Sequence, residues 1–203
     1  MDDMDIRAVL FDMDGTLVDS DAAVVRAWMT WSAEYGVDGP AAVVMAHGSP
    51  SEPTIRALLP GRAEADIMTA VQRMMSLEHN DVDGVVATPG ARELIDELDR
   101  HGIAWAVVTS ADLHLAKTRL AAAGIVAPVL VTIDDLRAGK PHPEGYLRAA
   151  ELLGVPPQKC LVVEDAEVGL AAGRAAGAHT AALRGLDGDL RITDLSELIG
   201  KIV

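Results

Sequence analysis

Short apolar runs alternate with amphipathic stretches along much of the chain. The runs predicted as buried strands are residues 6–10, 104–108, 129–131, 160–163 and 178–183. The amphipathic stretches between and after them predict helices at residues 91–101, 113–123, 144–153, 167–176 and 195–199. Strands that are apolar on both faces and separated by helices are typical of a parallel sheet covered on both sides. The pattern therefore predicts an α/β fold with a parallel five-stranded sheet between two layers of helices.

Residues 20–87 follow a different pattern, with helical spacing and no convincing strand before Val85. The first helix of this region has one apolar face, formed by Val24, Trp28, Trp31 and Tyr35. Short helices broken by glycine and proline follow, and then a longer amphipathic helix over residues 62–79. We therefore expect a small helical insert, residues 20–87, in a core made of residues 1–19 and 88–203. Since the insert leaves and re-enters the core beside the first strand, it is positioned to act as a lid.

Composition allows one sizeable core and argues against anionic partners. Half of the 203 residues are hydrophobic, and 17 Lys and Arg stand against 31 Asp and Glu, for a net charge of −14. A protein this acidic gains nothing from counterion release, so we expect no binding to nucleic acid or to anionic membrane surfaces. A negatively charged substrate would need local lysine or arginine, a metal ion or backbone N–H groups.

Three features predict a cytoplasmic protein. Cys160 is the single cysteine and cannot form an internal disulfide, which suits a reducing compartment. Three of the first five residues are aspartates, unlike the basic start of a signal peptide. The longest uncharged stretch, residues 120–133, is too short to span a bilayer.

We expect the protein to be a monomer or a weak homodimer.

The first predicted strand runs directly into the sequence FDMDGT, residues 11–16. Its two acids, Asp12 and Asp14, therefore follow the carboxyl end of a strand, where open α/β sheets bind ligands. Residues two apart point to the same side if strand geometry continues, and two carboxylates side by side repel unless a cation or a proton intervenes. This favours one ionised, metal-bound nucleophile and one group that carries a proton. A simple turn with an aspartate cap is the alternative interpretation.

Three further polar segments follow later predicted strands. Thr109 and Ser110 end the second strand, Lys140 lies in the loop after the third, and Glu164 and Asp165 end the fourth. Each has an ordinary structural explanation: a strand-end hydroxyl, a solvated lysine and a helix cap. Because the carboxyl ends of parallel strands meet at one edge of a sheet, these groups and the first two acids are expected to converge on one site.

These four segments resemble the motifs of the haloacid dehalogenase superfamily, in order. They are FDMDGT at 11–16, VTS at 108–110, GKP at 139–141 and ED at 164–165. The helical insert resembles the first type of cap in that family. The resemblance implies a Rossmann-like core in which the five strands, numbered along the chain, have the spatial order 5-4-1-2-3.

The resemblance also implies a Mg²⁺-dependent phosphatase acting on a small phosphate ester. Asp12 would be the nucleophile, and Asp14 would protonate the departing alcohol and then activate water. The metal ligands would be Asp12, the backbone carbonyl of Asp14, and Asp165, with Glu164 acting directly or through water. The phosphoryl group would contact Thr109, Ser110 and Lys140. A proton donor at Asp14 argues against a dehalogenase, since halide leaves without one.

Substrate choice is expected to depend on the helical insert. His47 and Gly48 resemble the sugar-phosphate and polyol-phosphate phosphatase branch, and we predict that they contact substrate. That branch commonly continues with lysine or arginine, whereas this chain continues with Ser49 and Pro50. The alternative for His47 is a packing role at a helix end.

Two alternatives to a phosphatase stay open from the sequence. A sugar phosphomutase of the β-phosphoglucomutase type shares the core and would need cations in the cap, for which Arg26 and Arg56 are candidates. A non-catalytic binding protein would tolerate loss of Asp12, Asp14 or Lys140, and all three are present.

Overall fold

A parallel sheet of six strands forms the centre of the computed structural model, which describes residues 4–202. The strands of this part of the chain are β1 (Ala8–Phe11), β2 (Val18–Asp19), β3 (Val86–Ala87), β4 (Ala104–Val108), β5 (Leu130–Val131), β6 (Cys160–Glu164), β7 (His179–Ala182) and β8 (Leu190–Arg191). The sheet order is β5-β4-β1-β6-β7-β8, and every pair in it is parallel. The five predicted strands are confirmed in the implied order, and β8 adds a sixth at one edge.

The remaining two strands form a small antiparallel ladder where the helical insert joins the core. Val18 of β2 pairs with Ala87 of β3, and Asp19 pairs with Val86. The apolar pattern did not predict β2, because a strand of two residues carries no periodicity. This ladder fixes the start and the end of the helical insert side by side.

The helices divide between the proposed insert and the proposed core. The insert contains α1 (Asp21–Tyr35), α2 (Gly39–Ala46), α3 (Ser51–Leu58) and α4 (Glu64–Asn80). The core contains α5 (Ala91–His101), α6 (Leu113–Ala122), α7 (Glu144–Leu153) and α8 (Glu167–Ala175). The helix predicted near the carboxyl end is instead a short 3-10 turn, Leu195–Leu198. None of the described helices is long and apolar enough to cross a membrane.

Three hydrophobic clusters hold these layers together. One lies on each face of the central sheet, and a third lies among α1–α4. In the third cluster Trp28 meets Trp31 edge to face with ring centroids 5.6 Å apart, and Trp31 stacks on Tyr35. The indole N–H of Trp31 donates to the carbonyl of Ala70 at 2.9 Å, which satisfies its one polar group. The tryptophans therefore pack the insert, and a lid movement of the insert as a unit is a proposal.

Candidate active site

The carboxyl ends of three neighbouring strands bring the predicted site residues together. β1 lies between β4 and β6, and Phe11 is in register with both Val107 and Val163. The residues at or just after these strand ends are Asp12, Thr109, Glu164 and Asp165. Lys140 joins them from the loop that precedes α7. The four sequence segments therefore lie together at one edge of the sheet, as predicted.

Three buried carboxylates form an acidic cluster: Asp12, Glu164 and Asp165, whose oxygens lie within 4.8 Å of one another. The buried Lys140 ammonium contacts Asp12 Oδ1 closely and donates to Glu164 Oε1 at 2.6 Å. The hydroxyl of Tyr146 donates to the same Glu164 oxygen at 2.6 Å. A lysine in a loop is usually exposed to solvent. Lys140 is instead buried against the acidic cluster.

Burial shifts the acid–base behaviour of this cluster. Burial and the charge of Glu164 raise the pKa of Asp12 well above its usual range, and Lys140 opposes the shift. The same two causes raise the pKa of Asp165 to about 6, against His47, Arg184 and Lys140. Burial alone would lower the pKa of Lys140, but Asp12 and Glu164 outweigh it and raise that pKa. The acids are therefore under-compensated by the cations around them.

The chemistry of the acidic cluster fits a divalent cation. Carboxylate oxygens are the ligands that Mg²⁺ takes from proteins, and burial together with the charge of Glu164 raises the pKa values of Asp12 and Asp165. A cation bound among them would reverse that effect. Oxygen-only donors with no histidine or cysteine in the cluster also suit a hard metal.

Asp14 lies apart from the acidic cluster. The Ser20 hydroxyl donates to Asp14 Oδ1 at 2.6 Å, and Arg119 Nη1 forms an ion pair with the same oxygen at 2.9 Å. Strand geometry does not continue past Asp12: the chain turns, with Gly15 N–H bonded to Val18. The two acids consequently have separate partners, which suits the predicted division of roles. The backbone carbonyl of Asp14 stays a predicted metal ligand.

A cavity of about 300 Å³ separates the sheet edge from the helical insert. Its wall includes the predicted site residues Asp12, Asp14, His47, Gly48, Thr109 and Ser110. Lys140 lies behind Asp12, with its ammonium 5.4 Å from the ring centre of Tyr146. One edge of Trp28 faces the cavity, although the rest of this side chain packs the insert.

The loop carrying His47 and Gly48 closes over the sheet edge. His47 Nε2 lies 3.3 Å from the carbonyl oxygen of Asp165 and 3.5 Å from its Oδ2. Ser110 donates from its hydroxyl to the carbonyl of Gly48 at 3.3 Å. A Cβ at Gly48 would lie only 2.5 Å from that of Ala166, so the close approach requires glycine. Both residues thus contact the core motifs, and their contact with substrate stays a prediction.

A second arginine, which the sequence did not single out, lies beside the acidic cluster. Arg184 Nε is 2.7 Å from Asp165 Oδ2, and its Nη2 donates to Asp21 at 2.8 Å. Gly15 leaves room for this arrangement, because a Cβ there would lie 2.0 Å from Asp165 Oδ2. Arg184 therefore ties the start of α1 to the second acid of the last motif.

Neither side-chain partner of Asp14 was singled out from the sequence. Ser20 stands at the N-cap position of α1, yet its side chain makes no capping bond and donates to Asp14 instead. Arg119 is buried on the apolar face of α6 between Leu115 and Leu120. A charged residue on the buried face of a helix is uncommon without a partner, and this was the available signal.

A buried acid of the helical insert gives a pH-dependent prediction. Burial raises the pKa of Glu78 in α4 to about 7, with Arg119 opposing and Asp14 and Asp112 adding to the shift. A raised pKa means that the folded state loses stability as pH rises from the unfolded value near 4.5 through 7. Glu78→Gln is therefore expected to raise the free energy of unfolding by ~1–3 kcal/mol at pH 8 and to leave it unchanged at pH 4. Urea denaturation of both proteins at the two pH values measures this, and an equal difference at both would contradict it.

Comparisons with known proteins identify the family of this chain. A family model for haloacid dehalogenase-like hydrolases matches residues 6–177. The chain is 42% identical over 181 residues to Hexitol phosphatase A of Escherichia coli (strain K12), covering 89% of this chain and 84% of the relative. It is 32% identical over 244 residues to Beta-phosphoglucomutase of Mycobacterium bovis (strain ATCC BAA-935 / AF2122/97), covering 96% and 92% of the two chains. The solved structure of a hydrolase from Pseudomonas syringae superposes with a TM-score of 0.83 at 25% identity, covering 95% of this chain and 96% of that chain.

The sheet, the strand-end acids and the buried lysine define a hydrolase on a Rossmann-like α/β core. The family model covers most of the chain, and the chain belongs to the haloacid dehalogenase-like hydrolases. The resemblance carried by the four sequence segments is thereby confirmed.

Proposed function

We propose that this protein is a Mg²⁺-dependent phosphatase that hydrolyses small polyol or sugar phosphates through an aspartyl-phosphate on Asp12. At the level of reaction class it is a phosphoric monoester hydrolase. The observation that carries the finer proposal is the setting of Asp12. This carboxylate lies between Lys140 and the acidic cluster on one side and a cavity on the other, and Asp14 stands in the wall of the same cavity.

A bound Mg²⁺ would be held by Asp12, Asp165 and the backbone carbonyl of Asp14, with Glu164 directly or through water. It would supply positive charge to the phosphoryl oxygens and to the attacking carboxylate. Two like charges ~4 Å apart repel by roughly 4 kcal/mol at an effective dielectric constant near 20, and a dianion doubles this. Lys140 contributes further positive charge next to Asp12.

The residues of this chain account for each bond and proton in the first half of the reaction. An oxygen of Asp12 bonds to phosphorus while the ester P–O bond breaks, and the departing alkoxide takes a proton from Asp14. Ser20 and Arg119 both contact Asp14 Oδ1, so Oδ2 is the oxygen that carries this proton. Thr109 and Ser110, at the end of β4, line the cavity where the phosphoryl oxygens would lie.

The second half returns the enzyme to its starting state. Asp14, now ionised, takes a proton from a water molecule whose oxygen attacks phosphorus. The bond between phosphorus and Asp12 breaks, inorganic phosphate leaves, and Asp14 is again protonated. One carboxyl group therefore acts first as an acid and then as a base.

The wall of the cavity favours an uncharged, hydroxyl-bearing leaving group. Its acidic members, besides Asp12 and Asp14, are Asp21, Glu52, Glu78, Asp112 and Asp134. Carboxylates accept hydrogen bonds from hydroxyls and repel a second phosphate. A hexitol phosphatase among the relatives supports the same class, as does a cavity of about 300 Å³, which suits a small molecule.

A mutase would need a cation in the insert to hold the second phosphate of a bisphosphate. Arg26 is bound to Asp81 at 2.7 Å, and Arg56 is bound to Glu52 and Glu64. Among the described residues, Arg119 is the one lysine or arginine in the cavity wall, and it belongs to the core. This distribution of charge supports hydrolysis over transfer to a sugar, despite the mutase among the relatives.

Phosphate release from a panel of esters, all at saturating Mg²⁺, tests the proposed substrate class. The panel contains hexitol phosphates, hexose phosphates, phosphoglycolate and nucleotides. We expect the hexitol and hexose phosphates to have the highest kcat/KM. A preference for phosphoglycolate or nucleotides would contradict the substrate class, and interconversion of glucose phosphates in the presence of a bisphosphate primer would indicate a mutase.

A further inference from the structure

Arg119 is a buried cation with unused hydrogen-bonding capacity. Its side chain is only 3% exposed, and Nη1 is the atom that contacts Asp14. Nε and Nη2 are buried without a hydrogen-bond partner in the structure. Guanidinium N–H groups removed from water are costly unless something accepts from them, so these two atoms indicate a ligand group in the cavity.

Glu78 faces Arg119 across a gap that suits one oxygen atom. Glu78 comes from α4 of the helical insert and Arg119 from α6 of the core. Glu78 Oε1 lies 3.8 Å from Arg119 Nη2, too far for a direct hydrogen bond. An oxygen atom roughly 2.8 Å from each of these atoms would bridge them. A hydroxyl is the group that meets both needs, because it accepts from the guanidinium and donates to the carboxylate.

The open geometry of this pair differs from that of the structural ion pairs in the insert. Arg26 meets Asp81 at 2.7 Å, and Arg73 meets Glu34 at 2.6 Å. Those pairs are closed and partly exposed, whereas Arg119 and Glu78 are buried and stay apart. The separation between Arg119 and Glu78 is therefore wider than in these two arginine–carboxylate pairs of the insert.

The pair lies on the leaving-group side of the site. Both side chains are in the wall of the cavity that contains Asp12, and Arg119 touches Asp14, the proposed donor to the departing oxygen. A hydroxyl close to the ester oxygen of the substrate would therefore reach the gap. An ionised phosphate or carboxylate group could accept from Arg119 but has no proton to donate to Glu78.

We propose that Arg119 and Glu78 form a specificity subsite that binds a hydroxyl group of the leaving alcohol and so selects polyol phosphates. This inference rests on the proposed phosphatase function and names the part of the site that recognises its substrate. The subsite is shared between core and insert, so it is complete only when α4 lies against α6.

The test compares two alkyl esters that differ in hydroxyl content: a hexitol 6-phosphate and butyl phosphate. Both release an alkoxide, so both make the same demand on Asp14. The measured quantity is the ratio of their kcat/KM values, determined for wild type, Glu78→Leu, Glu78→Gln and Arg119→Met. Glu34→Leu is the matched control, because Glu34 is an acid of the insert that pairs with Arg73 and is not part of the cavity wall. Thermal melts establish that each variant is folded.

Glu78→Leu and Arg119→Met are expected to lower the ratio of kcat/KM for the hexitol ester to kcat/KM for butyl phosphate by about 10- to 100-fold. For Glu78→Leu, this loss should appear chiefly as a higher KM for the hexitol ester. Glu78→Gln keeps the shape of the side chain and is expected to lower the ratio by about 3- to 10-fold. Glu34→Leu is expected to keep the wild-type ratio. An unchanged ratio in the folded Glu78 and Arg119 variants would overturn the subsite while leaving the phosphatase intact. Absence of hydrolysis of both esters by the wild type would instead overturn the proposed function.

Discussion

Asp12→Asn is expected to lower kcat for a hexitol phosphate by about 10⁴-fold or more, because an amide oxygen is far too weak a nucleophile to attack phosphorus. The substitution preserves the size of the side chain and leaves Glu164 available to Lys140. The loss should therefore come from the missing charge and not from a rearranged site. Phosphate release under single-turnover conditions measures the effect without interference from product release.

Asp19→Asn is the matched control for this prediction. Asp19 is an exposed carboxylate of β2, seven positions along the chain, and lies outside the acidic cluster. Its substitution is expected to leave the rate within about 2-fold of wild type. Mg²⁺-dependent hydrolysis by folded Asp12→Asn at close to the wild-type rate would show that Asp12 is not the nucleophile.

Asp14→Asn is expected to slow hydrolysis of a hexitol phosphate by about 10²- to 10⁴-fold, since it removes both the proton for the alkoxide and the base for the water. The two steps can be separated with p-nitrophenyl phosphate, whose leaving group departs without a proton. With that substrate the variant should release about one equivalent of nitrophenolate rapidly and then turn over slowly, because phosphate stays on Asp12. Rapid-mixing absorbance measurements detect such a burst.

Ser20→Ala separates the role of Asp14 from that of its neighbours. The Ser20 hydroxyl donates to Asp14 Oδ1, so its removal loosens the acid without removing it. The rate of hexitol phosphate hydrolysis is expected to fall by about 3- to 30-fold, with no burst of nitrophenolate.

Wild-type kinetics for Asp14→Asn with both substrates would exclude Asp14 as the acid and base.

The apolar strands of the core could be predicted because burial on both faces leaves a local signature. Residues 104–108 and 160–163, for example, are uniformly apolar and become β4 and most of β6. β8 escaped prediction because Leu190 and Arg191 form a strand only by pairing with β7, and nothing within two residues signals that pairing. Strand order came from the family resemblance, not from the apolar pattern.

Some residues of the site could likewise be predicted from the local sequence, whereas others depend on contacts between distant parts of the chain. Asp12, Thr109, Lys140 and Glu164 stand at strand ends or in a loop after one, and this position marked them in advance. The partners of Asp14 were not predictable, because Ser20 also fits a helix cap and Arg119 follows more than a hundred residues later. Glu78 was not singled out from the sequence, because it is buried only by the packing of α4 against α6.

The central claim is that Asp12 works together with a divalent metal, and a Mg²⁺ titration of hexitol phosphate hydrolysis tests it most directly. The protein is first treated with EDTA and then assayed at increasing Mg²⁺ concentration. For the wild type we predict no phosphate release in EDTA and a saturable recovery with Mg²⁺, whereas Asp12→Asn should release no phosphate under either condition. Equal release in EDTA and in Mg²⁺ would contradict this claim, because Asp12 would then act without a divalent metal.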